Sequence, residues 1–169
     1  GAHPKVMEAL VKTNMEHSGG YGLDEHCAHA AEMIKDMIGL DDCQVYMMVG
    51  GTPCNATIMA ASLRPYESAV ALRTGHAYFH ETGAVEATGH RIIALDGVNG
   101  KMTPELIDKA WEEYEDEHTP LPKMVYISQP TECGSIYSKA ELTAIRNKCR
   151  ERNMLLYVDG ARLGAALTA

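Results

Sequence analysis

The chain has 169 residues, of which 46% are hydrophobic and 22% charged, as is typical of a folded globular protein. Its formal net charge of -8, with no run of Lys and Arg, argues against a nucleic-acid-binding surface. No apolar segment approaches the roughly 20 residues of a membrane-spanning helix, and five cysteines without a CxxC pair favour reduced thiols in a cytoplasmic protein.

Two amphipathic helices are predicted in the first 40 residues. The segment HPKVMEALVKTNMEH places Pro4 where the first turn of a helix tolerates it, and its apolar residues follow at helical spacing. The segment DEHCAHAAEMIKDMIGL has Asp24 in position to cap a second helix and Gly39 where that helix would end.

Five short apolar runs are predicted to be strands. CQVYMMV, residues 43–49, is bounded by Asp-Asp and Gly-Gly and is typical of a buried strand, with a helix over 53–63 to follow. The other four strands are predicted at residues 68–73, 90–95, 123–128 and 154–158.

Helix-start signals separate the last three of these strands. Thr103 followed by Pro104 opens one helix, and Ser138 with Glu141 three residues later forms a capping box for the next. Strands that alternate with helices predict an α/β fold, with a mostly parallel sheet and helices on both faces.

Ligands of parallel sheets bind where the strands end and helices begin, which directs attention to GGTPCN, residues 50–55. Its glycines allow close approach of a phosphate to a helix N-terminus, with Thr52 as a hydroxyl donor. It lacks the Gly-Lys-Ser/Thr ending of a nucleoside-triphosphate loop and the GxGxxG of a dinucleotide fingerprint. A purely structural turn is the alternative interpretation.

Asp159 and Arg162 follow the last predicted strand. A carboxylate in a partly dry cleft holds a cationic group strongly, although the two residues could instead pair with each other or cap the next turn.

His76 lies just beyond the strand at 68–73, with His80 and Glu81 close behind. The HExxH arrangement is missing, so no metal site is predicted here. A flat imidazole at a strand end can instead stack on an aromatic ring. A phosphate-binding turn, a carboxylate for a cation and a stacking imidazole together predict pyridoxal phosphate, with Asp159 facing the ring nitrogen and Arg162 the phenolate oxygen.

The sequence resembles the threonine aldolase and β-eliminating lyase family of fold-type I pyridoxal-phosphate-dependent enzymes along its whole length. YVDGARLGAA is similar to the family's Asp-Gly-Ala-Arg segment, which implies that Asp159 contacts the pyridine nitrogen and Arg162 the ring oxygen. GGTPCN resembles its Ser-Gly-Thr-x-x-Asn turn, which implies that Gly51 and Thr52 bind the phosphate. HAYFHETGA resembles its His-x-x-x-x-Glu-x-Gly stretch, whose His stacks on the cofactor and serves as a base; His76 is its counterpart.

Two further site residues rest on the resemblance alone. GGYGLDE resembles the Gly-rich turn before the second helix, which implies that Tyr21 reaches the site of a neighbouring subunit in a homodimer or homotetramer. In SQPTECGSIYS, Glu132 stands where many aldolases have a His, which makes it the candidate to contact the substrate's β-hydroxyl.

The resemblance implies a lyase that cleaves the Cα–Cβ bond of threonine or allo-threonine to give glycine and acetaldehyde. It also implies a three-layer large domain, incomplete here at both ends: the lysine that forms a Schiff base with the cofactor, and a C-terminal small domain, are expected beyond the Asp-Gly-Ala-Arg segment. We therefore expect residues 1–169 alone to be inactive. The alternatives are another fold-type I enzyme, either a β-eliminating lyase or one similar to aminotransferases, and a non-catalytic α/β binding fragment.

Overall fold

A computed structural model describes residues 1–168 of the chain. They form two compact units, which are Gly1–Met48 and Val49–Ala169.

The first unit contains the two predicted helices, α1 (Pro4–Thr13) and α2 (Glu25–Ile38). The Asp24 carboxylate accepts a hydrogen bond from the Cys27 amide at 2.9 Å, which caps the start of α2. At the other end, Gly39 adopts a φ of 66°, a left-handed conformation that glycine adopts without steric cost. The structure confirms both helices and both caps of α2.

Residues 43–49 do not form the predicted buried strand, and that prediction is wrong. They have no regular secondary structure, and Tyr46 and Val49 are 75% and 97% exposed. A parallel strand needs a neighbour to take up its backbone hydrogen bonds, and none of the strands in the described part of the chain pairs with this segment. The apolar composition of residues 43–49 matches the pattern of a strand, but it does not provide a neighbouring strand to pair with.

The second unit is built on a four-stranded sheet that confirms the other four predicted strands. All the strand pairs are parallel, and the order across the sheet is β2-β1-β3-β4. The bounds are β1 (Glu67–Leu72), β2 (Ile92–Leu95), β3 (Leu121–Ser128) and β4 (Leu155–Asp159).

Two helices of the second unit, α5 and α6, begin at the caps that the sequence predicts, whereas α3 begins at Gly51, two residues before its predicted start. Thr103 caps α5, and Ser138 and Glu141 make both hydrogen bonds of the capping box at the start of α6. A hydrogen bond from Lys101 lowers the pKa of Glu141 to about 2, which keeps the capping carboxylate charged. The bounds are α3 (Gly51–Ser62), α4 (His76–Phe79), α5 (Pro104–Glu113), α6 (Lys139–Glu151) and α7 (Leu163–Ala166), with a 3-10 turn at Glu86–Thr88.

The strands bury alternate residues on opposite faces of the sheet, as their period of two requires. Val70 and Val125 face a core that includes residues of α5 and α6. Ala69 and Met124 face a second core, which includes residues of α3 and α4. The result is the predicted α/β arrangement of helix, parallel sheet and helix.

Parallel pairing brings the C-terminal ends of the strands to one edge of the sheet. Asp159 ends β4 and pairs in register with Ser128 at the end of β3, while His76 follows the end of β1.

We find no helix among residues 1–168 with the length and apolar character to span a bilayer.

Removing the cap of α6 tests the helix assignment. Ser138→Ala should lower the free energy of unfolding by about 1 kcal/mol, because the Glu141 amide then loses its side-chain acceptor. Urea denaturation followed by circular dichroism measures this loss. Ser62→Ala, at the exposed end of α3, is the control and should change the value by less than about 0.5 kcal/mol; equal effects of the two substitutions would contradict the capping role.

Candidate active site

A cavity of about 160 Å³ lies where the ends of β1 and β4 meet the start of α3. Larger cavities exist, including one of about 440 Å³ beside Lys101 and Glu141, but they contain none of the predicted site residues. The 160 Å³ cavity is lined by Gly51, Asn55, His76, Glu81, Asp159, Ala161 and Arg162. The structure thus brings together Gly51, His76, Asp159 and Arg162 from three separate segments.

Asp159 is held at the end of β4 by two hydrogen bonds. The Tyr126 hydroxyl donates to Oδ2 at 2.6 Å, and the Ala161 amide donates to Oδ1 at 3.0 Å. Burial, together with this hydrogen bond to Asp159, raises the pKa of Tyr126, so the phenol keeps the proton that it donates. A carboxylate has about four acceptor positions, so Asp159 retains capacity to accept from a cationic ligand. It caps the turn at Ala161, as one alternative interpretation allowed.

Arg162 forms its ion pair with Glu132 rather than with Asp159. Its Nη2 atom lies 3.3 Å from Oε1 of Glu132, and the Arg162 side chain is 49% exposed whereas that of Glu132 is 13% exposed. The same Oε1 accepts hydrogen bonds from Ser128 Oγ at 2.7 Å and from the His76 amide at 3.2 Å. Glu132 therefore connects the segments that follow β1, β3 and β4, while its predicted contact with substrate stays a prediction.

His76 begins α4 and its ring contacts a buried acid. Nδ1 of His76 lies 2.9 Å from Oε1 of Glu81, whose side chain has no exposed surface. That oxygen also accepts a hydrogen bond from Asn55 Nδ2 at 2.6 Å. The other oxygen, Oε2, is buried and has no hydrogen-bond partner among the residues that the structure describes.

Asn55 links Glu81 to the end of the sheet. Its Oδ1 accepts a hydrogen bond from the Tyr157 hydroxyl, and burial is the main cause of the raised pKa of Tyr157, which keeps this hydroxyl protonated. A continuous series of hydrogen bonds therefore runs from Tyr157 on β4, through Asn55 on α3, to Glu81 and His76.

Four residues of these hydrogen bonds are not among the predicted site residues: Asn55, Glu81, Tyr126 and Tyr157. Two of them could have been found by their spacing. Asn55 lies one helical turn after Gly51, and Tyr157 lies two residues before Asp159 on the same face of its strand. Tyr126 gives no such signal, because only strand pairing places it beside Asp159.

The start of α3 provides the predicted phosphate-binding groups. The amides of Gly51 and Thr52 belong to the first turn, where no intrahelical acceptor exists. Gly50 has no side chain to cap them, and Pro53 has no amide hydrogen. Gly51 lines the cavity, whereas Thr52 does not. The positive end of the helix dipole adds to the attraction for an anion.

Tyr21 belongs to the first unit, where its side chain is fully exposed and its φ is 66°. Its part in the site of a neighbouring subunit stays a prediction. Within residues 1–168, no cluster of three or more His, Cys, Asp and Glu side chains has the arrangement to hold a metal ion.

Comparison with known proteins gives one family. The family model described as beta-eliminating lyase matches residues 1–169. The low specificity L-threonine aldolase of a Pseudomonas species is 33% identical over 168 residues, which are 98% of this chain and 48% of that protein. The chain therefore spans about half the length of the curated relatives it matches.

Solved structures agree with this family. Leishmania major threonine aldolase superposes with a TM-score of 0.98 at 41% identity, over 100% of this chain and 49% of that one. A pyridoxal-phosphate-bound C–S lyase of Staphylococcus hominis superposes with a TM-score of 0.65 at 15% identity, over 95% of this chain and 41% of that one. The second likeness shows the fold alone, and both confirm the predicted fold-type I architecture.

The hydrogen bonds of Asn55 can be tested by removing its side chain. Asn55→Ala should lower the free energy of unfolding by about 2–4 kcal/mol, since Tyr157 and Glu81 each lose a buried partner. Urea denaturation measures the effect. Thr57→Ala, on the exposed side of the same helix, should change the stability by less than about 0.5 kcal/mol. A loss of similar size in both variants would contradict the stabilising role of the Asn55 hydrogen bonds.

Proposed function

The chain belongs to the β-eliminating lyase family, and from this premise we propose that the whole protein is a lyase of β-hydroxy amino acids. It cleaves the Cα–Cβ bond of threonine or allo-threonine to glycine and acetaldehyde. The observation that carries the proposal is the single cavity lined by Gly51, His76, Asp159 and Arg162. Support also comes from the relatives at 33% and 41% identity, which are named as threonine aldolases.

Family membership indicates pyridoxal phosphate as the cofactor, and the groups around the cavity fit it. Asp159 retains acceptor positions for a protonated ring nitrogen, beyond those used by Tyr126 and Ala161. The uncapped start of α3 offers amides for the phosphate. Arg162, half exposed, offers a guanidinium for the negative ring oxygen.

The proposed roles follow from these atoms. Pyridoxal phosphate, when bound, supplies an electron sink for the pair released when the Cα–Cβ bond breaks. Gly51 and Thr52 bind its phosphate, and Arg162 neutralises its ring oxygen. The Asp159 carboxylate holds the proton on the ring nitrogen, and the Tyr126 hydroxyl orients that carboxylate. A carboxylate in this position stabilises the positive charge because the surroundings are partly dry.

His76 is the proposed base. Its ring lines the cavity and is 43% exposed, which leaves it accessible to a bound amino acid. Nε2 takes the proton of the substrate's β-hydroxyl as the carbonyl of the aldehyde forms. On the basis of the resemblance, Tyr21 and Glu132 are proposed to contact the substrate. Tyr21 would do so from a neighbouring subunit, because the whole protein is proposed to be a homodimer or homotetramer. Its proposed location is the cytoplasm.

We further propose that residues 1–169 are part of a pyridoxal-phosphate-binding large domain. The lysine that attaches the cofactor then lies in the whole protein outside these residues, together with the small domain. Support comes from the cavity itself, because no lysine is among the residues that line it in the described part of the chain.

Replacing Asp159 tests the central role. In the whole protein with pyridoxal phosphate in excess, Asp159→Ala should lower kcat for glycine release from threonine by about 10³-fold. Acetaldehyde formation, coupled to its enzymatic reduction, measures the rate. Asp36→Ala, an exposed acid on α2, is the control and should leave kcat unchanged. Near-normal turnover of Asp159→Ala with cofactor bound would refute the assigned role, and absence of aldehyde from the unmodified protein would refute the aldolase function.

The proposed domain organisation has its own test. Residues 1–169, supplied with pyridoxal phosphate and threonine, should release no glycine, while the whole protein does so under identical conditions. Amino-acid analysis after incubation compares the two. Turnover by residues 1–169 alone would contradict the proposal that the essential lysine lies outside them.

A further inference from the structure

Glu81 lines the candidate site, but the roles proposed above leave it unused. We propose that Glu81 is a positioning residue that fixes the tautomer and the ring orientation of His76, leaving Nε2 as the basic atom. The proposal rests on the proposed function, in which His76 is the base. It requires that Glu81 act only as an acceptor towards the ring and that its carboxylate be held still.

The donors around Glu81 define its Oε1 atom as an acceptor. Tyr157 remains protonated and donates to Asn55 Oδ1, so the amide group of Asn55 presents its NH₂ to Glu81. An ionised carboxylate has no hydrogen to offer in return. The hydrogen between Oε1 of Glu81 and Nδ1 of His76, which are 2.9 Å apart, therefore belongs to the ring. A neutral imidazole with its hydrogen on Nδ1 has its lone pair on Nε2.

The structure also explains why the carboxylate of Glu81 stays in place. Its side chain has no exposed surface, and Asn55 holds it from α3 at 2.6 Å. His76 needs such an anchor, because its side chain is 43% exposed and α4 has only four residues. The His76 amide is bonded separately to Glu132, which fixes the backbone and leaves the ring orientation to Glu81.

The second oxygen of Glu81 points to a functional reason for this acid. Oε2 is buried without a hydrogen-bond partner among the described residues, an arrangement that opposes folding. An apolar residue at this position would avoid that cost. The negative charge has a use if the neighbouring ring becomes cationic, since it then stabilises the imidazolium.

The proton balance is simple. The β-hydroxyl gives its proton to Nε2, and the O–H electron pair forms the carbonyl as the Cα–Cβ bond breaks. The cofactor, when bound, would supply the sink for the electrons of that bond. His76 becomes an imidazolium whose Nδ1–H remains with Glu81. The proton on Nδ1 is not transferred to Glu81, and the base is restored when Nε2 releases its proton in a later step.

The tautomer can be measured without cofactor or turnover. In the whole protein labelled with ¹⁵N-histidine, long-range proton–nitrogen NMR spectra should show the His76 hydrogen on Nδ1, with the signal assigned by its loss in His76→Gln. Glu81→Leu, which removes the acceptor but keeps an apolar side chain of similar size, should move the hydrogen to Nε2. Glu86→Leu is the matched control, because Glu86 is an exposed acid nearby in the chain.

Each outcome decides the proposal. A His76 hydrogen on Nε2 in the unmodified protein would overturn it, and this measurement holds even if Glu81→Leu does not fold. An unchanged tautomer in a folded Glu81→Leu variant would overturn it as well.

A kinetic measurement separates positioning from packing. In the loaded enzyme, Glu81→Leu should lower kcat for threonine cleavage by about 100-fold with little change in KM, while Glu86→Leu should match the unmodified protein. A rise in KM at constant kcat would show a packing role only and overturn the proposal. If the unmodified protein cleaves no threonine, the proposed function fails, whereas the NMR result still decides whether Glu81 sets the tautomer.

Discussion

Parallel pairing of β1, β3 and β4 is the constraint on which the candidate active site depends. The C-terminal ends of parallel strands lie at the same edge of a sheet. Residues that follow different strands therefore come together there although they are far apart in the chain. His76 follows β1, Glu132 follows β3 and Asp159 ends β4. A hairpin connection between any two of these strands would place one of the three side chains at the opposite edge.

Three carboxylates meet at this edge, and their hydrogen bonds divide them by task. One oxygen of Glu132 accepts hydrogen bonds from Arg162, Ser128 and the His76 amide, which connects the loops to each other. One oxygen of the fully buried Glu81 side chain contacts both Asn55 and His76. Asp159 differs because its partners are a hydroxyl and an amide, neither of them a His or Arg side chain, and because it lines the cavity while only partly buried. Of the three, Asp159 is therefore the acid best placed to receive a cationic ligand.

Most of the fold can be predicted from the sequence, because its determinants are local. The caps at Asp24, Thr103 and Ser138 form within three residues of each helix start. The alternation of strands with helices predicts a parallel sheet. Residues 43–49 show where local information ends: an apolar run becomes a strand only beside a partner, which the run itself does not encode.

The candidate site divides in the same way. Gly51, His76, Asp159 and Arg162 stand at element ends and in quoted motifs, so the sequence alone selects them. The hydrogen bonds that hold them depend on contacts between segments that lie far apart in the chain. Tyr157 bonds to Asn55 from 102 residues away, and Asp159 accepts from Tyr126 across 33 residues. The sequence therefore selects four residues that the structure brings to one cavity, whereas most of the hydrogen bonds that hold them there depend on the fold.

The register of β4 affects both the packing of the core and the placement of the site residues. Tyr157 and Asp159 lie two residues apart, so both face the side of the sheet that carries α3 and α4. One of them starts the series of hydrogen bonds that ends at His76, and the other faces the cavity directly. A shift of β4 by one residue would turn both side chains to the opposite face. The pairing of Tyr126 with Tyr157 and of Ser128 with Asp159 fixes the register and prevents that shift. The strand register that builds the core therefore also places Tyr157 and Asp159 on the side of the sheet where the site lies.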